Sequence, residues 1–145
     1  MFGAAEASAG TGKSFLLTTV YLWCLVHKMR TEAVAPTGIA AANIEIEKTG
    51  VSATTIHNMF ELDSEYKTKL DFAKVTHPKV AALLALQVLL IDECSMLDKQ
   101  CYAGIEEVLS IVDHSRRPKA PVSSDLFGDV HILLFGDFKV IVVSR

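Results

Sequence analysis

Ala9-Gly10-Thr11-Gly12-Lys13-Ser14 leads straight into the apolar run Phe15-Leu16-Leu17. A glycine-rich turn that opens a helix aims several backbone N–H groups at one point, and the helix adds its positive end. That arrangement suits the β- and γ-phosphates of a nucleotide. Gly10, Thr11, Gly12, Lys13 and Ser14 are therefore candidate phosphate-binding residues, with Lys13 as a point charge and the Ser14 hydroxyl as a ligand for Mg²⁺. The competing reading is a plain glycine turn. The full pattern, G-x-x-x-x-G-K-[ST], starts on a glycine, and Ala7 stands at that position. Alanine at positive φ costs on the order of 1 kcal/mol. The segment before it, MFGAAE, makes a poor strand.

Farther along the chain, Val88-Leu89-Leu90-Ile91 runs into Asp92-Glu93. Aliphatics ending in two acids place both carboxylates at the C-terminal edge of a buried strand, where α/β sheets bind ligands. Asp92 is a candidate Mg²⁺ ligand and Glu93 a candidate base for the attacking water; a solvated strand end is the alternative. A third segment, Leu133-Leu134-Phe135-Gly136-Asp137-Phe138, is again an apolar strand followed by glycine and an acid. Asp137 is placed to sense the γ-phosphate, or simply to make a turn.

The chain has 145 residues, 50% apolar and 21% charged, with a net charge of −3. That is one domain with enough apolar content for a core, which excludes general disorder. The charge argues against binding nucleic acid by bulk basicity but leaves room for a local phosphate groove. Three cysteines, Cys24, Cys94 and Cys101, have no CxxC spacing, so a reducing, intracellular compartment is expected. The apolar runs 15–26 and 80–91 fall short of the ~20 residues that span a bilayer.

Helical and strand-like segments alternate. Helices are expected over 12–30, 37–43, 54–60, 78–86 and 98–113, and strands over 33–35, 88–91 and 131–135. Residues 61–77 read as a polar loop with room for a helix, and 114–128 as a polar loop. Tyr102, Ile105, Val108, Leu109 and Val112 recur at helical spacing. This alternation predicts an α/β fold: a parallel sheet flanked by helices.

ASAGTGKS, APTGIAA (35–41), TTIH (54–57), LLIDECSML (89–97) and LFGDF (134–138) occur in that order. The set resembles the motifs of petite-integration-frequency-type (Pif-type) ATP-dependent DNA helicases, across about residues 7–139. The resemblance implies a RecA-like phosphate-loop NTPase domain, with residues 1–145 forming a single, partial first motor domain and the second motor domain lacking. It implies ATP and Mg²⁺ as ligands, single-stranded DNA as partner and no membrane. Lys13, Asp92, Glu93 and Asp137 would serve hydrolysis. Thr37 and Gly38, and Thr55 and His57, match two DNA-contacting segments. Hydroxyl and backbone N–H groups bind phosphate oxygens without reading sequence. The bland alternatives are a helix cap for Thr37 and a packed histidine for His57. The family also implies a nuclear or mitochondrial site and work in repair, recombination and telomere maintenance.

The departures are equally specific. The family continues GDF-x-Q-L-P-P, whereas here Val140 replaces the glutamine and both prolines are missing. An arginine supplied across a cleft matters greatly to phosphoryl transfer, and unwinding needs two domains. The expected function is an ATP-hydrolysing, DNA-contacting motor domain unable to unwind alone. A non-catalytic nucleotide-binding or interaction module from a truncated or decayed helicase is the alternative. Phe15, Tyr21 and Trp23 read as the packed face of a helix, and Arg116, Arg117 and Lys119 as a small solvated basic loop.

Overall fold

The computed structural model describes residues 4–5, 12–46, 51–121, 126–136 and 140–143. In chain order the elements are β1 (Ala4–Ala5), α1 (Gly12–Val26), β2 (Thr31–Ala35), α2 (Gly38–Ala42), β3 (Glu45–Ile46), β4 (Val51–Ser52), β5 (Thr54–Thr55), α3 (Ile56–Phe60), α4 (Pro78–Ala85), β6 (Val88–Ile91), a 3₁₀ turn at Cys94–Met96, α5 (Lys99–Arg116), β7 (His131–Phe135) and β8 (Val140–Val143).

One sheet has the order β1-β8-β7-β6-β2-β5. Strands β5, β2, β6 and β7 are mutually parallel. β8 is antiparallel to both β7 and β1, so β1 runs in the same direction as the parallel set. β3 and β4 form a separate antiparallel pair.

The apolar strands need no alternation because both faces are covered. Ala33, Ala35, Val88, Leu90 and Phe135 face one way and pack with Leu17, Tyr21 and Cys24 of α1 and Ala41 of α2. Val34, Leu89, Ile91 and Ile132 face the other way, against Ile56 and Phe60 of α3, Leu83 of α4, and Ile105, Val108, Leu109 and Val112 of α5. The result is three layers, helices on both sides of the sheet, as the alternation of elements predicts. Each fully buried Leu, Ile or Val contributes roughly 1.5–3 kcal/mol. These side chains hold the strand ends in place.

Several boundaries differ from the sequence reading. The first helix stops at Val26, not near residue 30. Lys28 adopts φ +56, and its N–H donates to the Leu25 carbonyl while that of Met29 donates to Cys24. That is a Schellman stop made without glycine, which the sequence does not advertise. The strand expected at 33–35 begins at Thr31, because Thr31 and Glu32 pair with Val88 and Leu89. The helix expected over 54–60 is divided: Thr54 and Thr55 pair with Val34 and Ala35, and α3 starts at Ile56. α5 runs three residues beyond the expected end at 113, to Arg116.

Residues 61–77 hold no helix. The Asp63 carboxylate accepts the N–H groups of Glu65 and Lys67, and Leu62 bridges Thr68 across the turn. Those two backbone N–H groups hold the Asp63 carboxyl below its ordinary pKa.

The expected basic loop is also different. Arg116 belongs to the last turn of α5, and its guanidinium donates to the carbonyls of Leu83, Leu84 and Leu86. It caps the C-terminal end of α4. Arg117 pairs with Asp113. On the first helix, Leu17, Tyr21 and Cys24 form the packed face. Trp23 and Phe15, expected on that face, are instead 55% and 74% exposed.

Candidate functional site

Because β2, β5, β6 and β7 are parallel, the segments that follow them emerge at one edge of the sheet. Pro36, Thr37 and Gly38 follow β2. His57 lies just past β5, Asp92 and Glu93 follow β6, and Gly136 follows β7. α1 ends four residues before β2 begins, so the helix runs back against the strands and starts at this same edge. Gly12, Lys13 and Ser14 form its first turn. Ala7, Gly10, Thr11 and Asp137 lie outside the described residues.

β8 stands between β7 and β1. At ~4.8 Å per strand spacing, β1 and β6 are about 14 Å apart. α1 packs over Val88 and Leu90 of β6 and Ala33 and Ala35 of β2, so the helix lies across the strand that ends in the acid pair.

Asp92 is 8% exposed. Its N–H donates to the Val34 carbonyl at 2.9 Å, continuing the β2–β6 ladder by one residue. Its Oδ1 accepts the Glu93 N–H at 2.9 Å. Glu93 takes φ +52, which turns the chain sharply out of the strand and into the 3₁₀ turn. Its half-buried side chain therefore sits at the sheet edge and not in the core.

Thr37 and Thr55 do what small hydroxyl residues do at helix starts: Thr37 Oγ1 accepts the Ala40 N–H, and Thr55 Oγ1 accepts the Asn58 N–H, both at 3.1 Å. The capping role weighed for Thr37 is thus present, and each hydroxyl retains a hydrogen to donate. A Cβ built on Gly38 meets nothing within 4 Å, so no neighbour requires a glycine there. His57 is exposed on α3, with its ring centroid 5.3 Å from that of Tyr66.

Thr37 and His57 border one small cavity of about 180 Å³, together with Tyr66, Met96, Leu97 and Asp98 among others. Sequence reading missed Tyr66, Met96 and Asp98. Nothing in a polar stretch such as DSEYKTK signals that its tyrosine folds back on the sheet edge. Burial, and then the Asp98 charge, push the Tyr66 phenol above its ordinary pKa. A larger cavity, about 610 Å³, lies along the C-terminal half of α5, lined by Glu107, Ser110, His114 and Pro121 among others. That helix starts at the candidate-site edge and runs away from it, so this cavity is remote from Asp92. Among the described residues no group of three or more His, Cys, Asp or Glu forms a metal cluster. Nor is any described helix long and apolar enough to cross a membrane.

A three-layer parallel α/β sheet, with a Gly-Lys-Ser helix start and an acid pair at its C-terminal edge, defines a RecA-like phosphate-loop domain. The profile described as PIF1-like helicase matches residues 3–144, and the chain belongs to that family. The ATP-dependent DNA helicase PIF1 of Trypanosoma brucei brucei is 30% identical over 131 residues, covering 90% of this chain and 12% of the relative. The ATP-dependent DNA helicase RRM3 of Saccharomyces cerevisiae is 32% identical over 136 residues, covering 90% and 17% respectively. The crystal structure of Bacteroides Pif1 in complex with ADP-AlF3 and single-stranded DNA superposes with a TM-score of 0.65 at 32% identity, covering 90% of this chain and 27% of that one. The chain therefore spans between about an eighth and a quarter of these relatives.

Proposed function

We propose that residues 1–145 form one partial motor domain of a PIF1-like DNA helicase, which binds and hydrolyses ATP and contacts single-stranded DNA but does not unwind duplex by itself. One observation carries this reading: a parallel sheet delivers the start of α1, Thr37-Gly38, His57 and Asp92-Glu93 to a single edge. The Bacteroides relative, crystallised with a nucleotide analogue and single-stranded DNA, supports it.

In this reading Gly10, Thr11 and Gly12 offer backbone N–H groups to the phosphates and Lys13 offers a charge. Ser14 and Asp92 would hold Mg²⁺. Hydroxyl and carboxylate oxygens are the hard donors that ion prefers, and both residues stand at the same sheet edge. Bound there, the ion would neutralise charge on the β- and γ-phosphate oxygens. Glu93 takes the proton of the attacking water, and Asp137 follows the γ-phosphate. Thr37 and Thr55 donate their hydroxyl hydrogens to DNA phosphates, Gly38 leaves open space for the strand's backbone, and His57 contacts the strand. Unwinding needs a second domain that closes against this one. We place the activity inside the cell, in the nucleus or mitochondrion, in genome maintenance such as repair, recombination and telomere upkeep.

The test is ATP binding and turnover with and without single-stranded DNA. Lys13→Ala should abolish binding. Glu93→Gln should keep ATP bound and slow turnover by about 10²-fold or more. Full turnover in Glu93→Gln removes Glu93 as base. Binding without turnover in the unaltered chain replaces the motor reading with a nucleotide-binding module.

A further inference from the structure

We propose that Tyr66 is a base-stacking residue: with His57 and Met96 it forms a pocket that takes one nucleobase of single-stranded DNA. This rests on the DNA-contacting reading of Thr37 and His57 and adds a residue on a different segment, with a distinct chemistry.

Three contacts hold Tyr66 in place. Its phenol donates to Asp98 Oδ2 at 3.2 Å. Its ring lies against that of His57, with centroids 5.3 Å apart and planes tilted by 55°. Its backbone lies directly on α5, where a Cβ added to Gly104 would come within 2.8 Å of the Tyr66 carbonyl oxygen. Tyr66 also adopts φ +60, a conformation unfavourable for a bulky residue, and such strain persists only where the surroundings enforce it. The turn built on Asp63 supplies that enforcement and sets the ring beside the Thr37 segment.

The chemistry of the pocket selects a base over a phosphate. Its acid is Asp98, whose Oδ1 accepts the Cys101 N–H at 2.7 Å while Oδ2 takes the Tyr66 phenol. A phosphate beside that carboxylate would be repelled. Two aromatic rings, the 59% exposed Met96 and the apolar Leu97 suit a flat neutral ring instead. A cavity of about 180 Å³ is small for a drug-sized ligand, whose pockets start near ~300 Å³, but it accommodates a single ring system. Thr37, on its border, places a strand's phosphate next to that base. Stacking of this kind is tolerant of sequence.

The experiment measures binding of fluorescent oligothymidine, and of the same strand with abasic positions, to the purified chain without nucleotide. The unaltered chain should bind the base-bearing strand about 5- to 100-fold more tightly than the abasic one. Tyr66→Leu should erase that preference while leaving abasic binding unchanged, and Tyr66→Trp should keep it. Circular dichroism confirms that both variants are folded. Independently of any variant, irradiation of the unaltered chain with an oligonucleotide carrying 5-iodouracil should give an adduct on Tyr66 or His57. No preference for bases, or equal weakening of both strands by Tyr66→Leu, overturns the proposal but leaves the DNA-contacting reading standing. No binding of either strand overturns both. Photolabelling of Tyr66 by 8-azido-ATP would assign the pocket to the adenine of a nucleotide and also overturn it.

Discussion

Replacing Arg116 by methionine removes a guanidinium and keeps most of the apolar stem. Arg116 Nε donates to the Leu84 carbonyl at 2.8 Å, and Nη2 donates to Leu83 at 3.1 Å and to Leu86. These carbonyls lie where α4 ends; that of Leu83 also accepts the Leu86 N–H at 3.2 Å, and Leu86 takes extended φ and ψ. A charged donor contributes about 1.5–3 kcal/mol for a single bond, but one cation shared by three acceptors at a half-buried site contributes less than the sum. A loss of about 2–4 kcal/mol is expected, which corresponds to a fall of roughly 5–15 °C in Tm for a chain of this size. The assay is urea unfolding followed by circular dichroism, with Lys74→Met as comparator. Lys74 pairs with Asp71 at 3.9 Å with both side chains more than half exposed, so its loss should cost no more than about 0.5 kcal/mol. Arg116→Lys should fall between wild type and Arg116→Met, because one ammonium lacks the fork that reaches several carbonyls. A stability loss in Arg116→Met no larger than that of Lys74→Met refutes the capping argument. Normal stability with weakened DNA binding would restore the basic-loop reading.

Gly104→Ala sets two effects against each other. Alanine gains about 1 kcal/mol of helix propensity, but its Cβ would lie 2.8 Å from the Tyr66 carbonyl oxygen and 2.9 Å from Tyr66 Cβ, and overpacking of this kind costs about 1–3 kcal/mol. Net destabilisation near 1 kcal/mol in urea melts is expected, and a variant stabilised by the full propensity gain would show that the loop is not seated on α5. Burial raises the Cys101 thiol to about 11 and the Tyr102 phenol to about 12. Both groups hold their protons more tightly folded than unfolded, so their contribution is complete below pH 9 and is lost as pH rises from 9 through 12. Unfolding free energy should fall across that window, and a flat profile there would contradict the burial. At pH 8 iodoacetamide should alkylate half-buried Cys94 and spare Cys101 until the chain unfolds, as read by mass spectrometry.

The layers of the fold were legible because burial writes itself into composition. Residues 88–91 and 132–135 are continuous apolar runs, and only a sheet covered on both faces tolerates them. Ile105, Val108, Leu109 and Val112 repeat at helical spacing and are buried together. The acid pair after β6 was legible for the same reason, since charge after an aliphatic run marks a strand end. Other features depend on partners distant in sequence. Thr54 and Thr55 look helical next to Ile56 but find hydrogen-bond partners on β2. Arg116 looks like a solvated cation until α4 is brought alongside.

What the sequence supplied was a set of local signals: a Gly-Thr-Gly-Lys-Ser string, an acid pair after an aliphatic run and short hydroxyl-bearing segments, each read from what a few adjacent atoms can do. The tertiary structure was needed to bring the start of α1, Thr37-Gly38, His57 and Asp92-Glu93 to one edge, because parallel pairing is set by contacts tens of residues apart. It also decided two things no local pattern carries. The four residues of β8 enter the sheet beside β7 and set β1 two strands away from β7. Tyr66, in a polar loop, is folded back onto Gly104 and His57. Val-Ile-Val-Val has a strong preference for strand, but which strands it pairs with, like the seat of the Tyr66 turn, is set by long-range packing that no local pattern encodes.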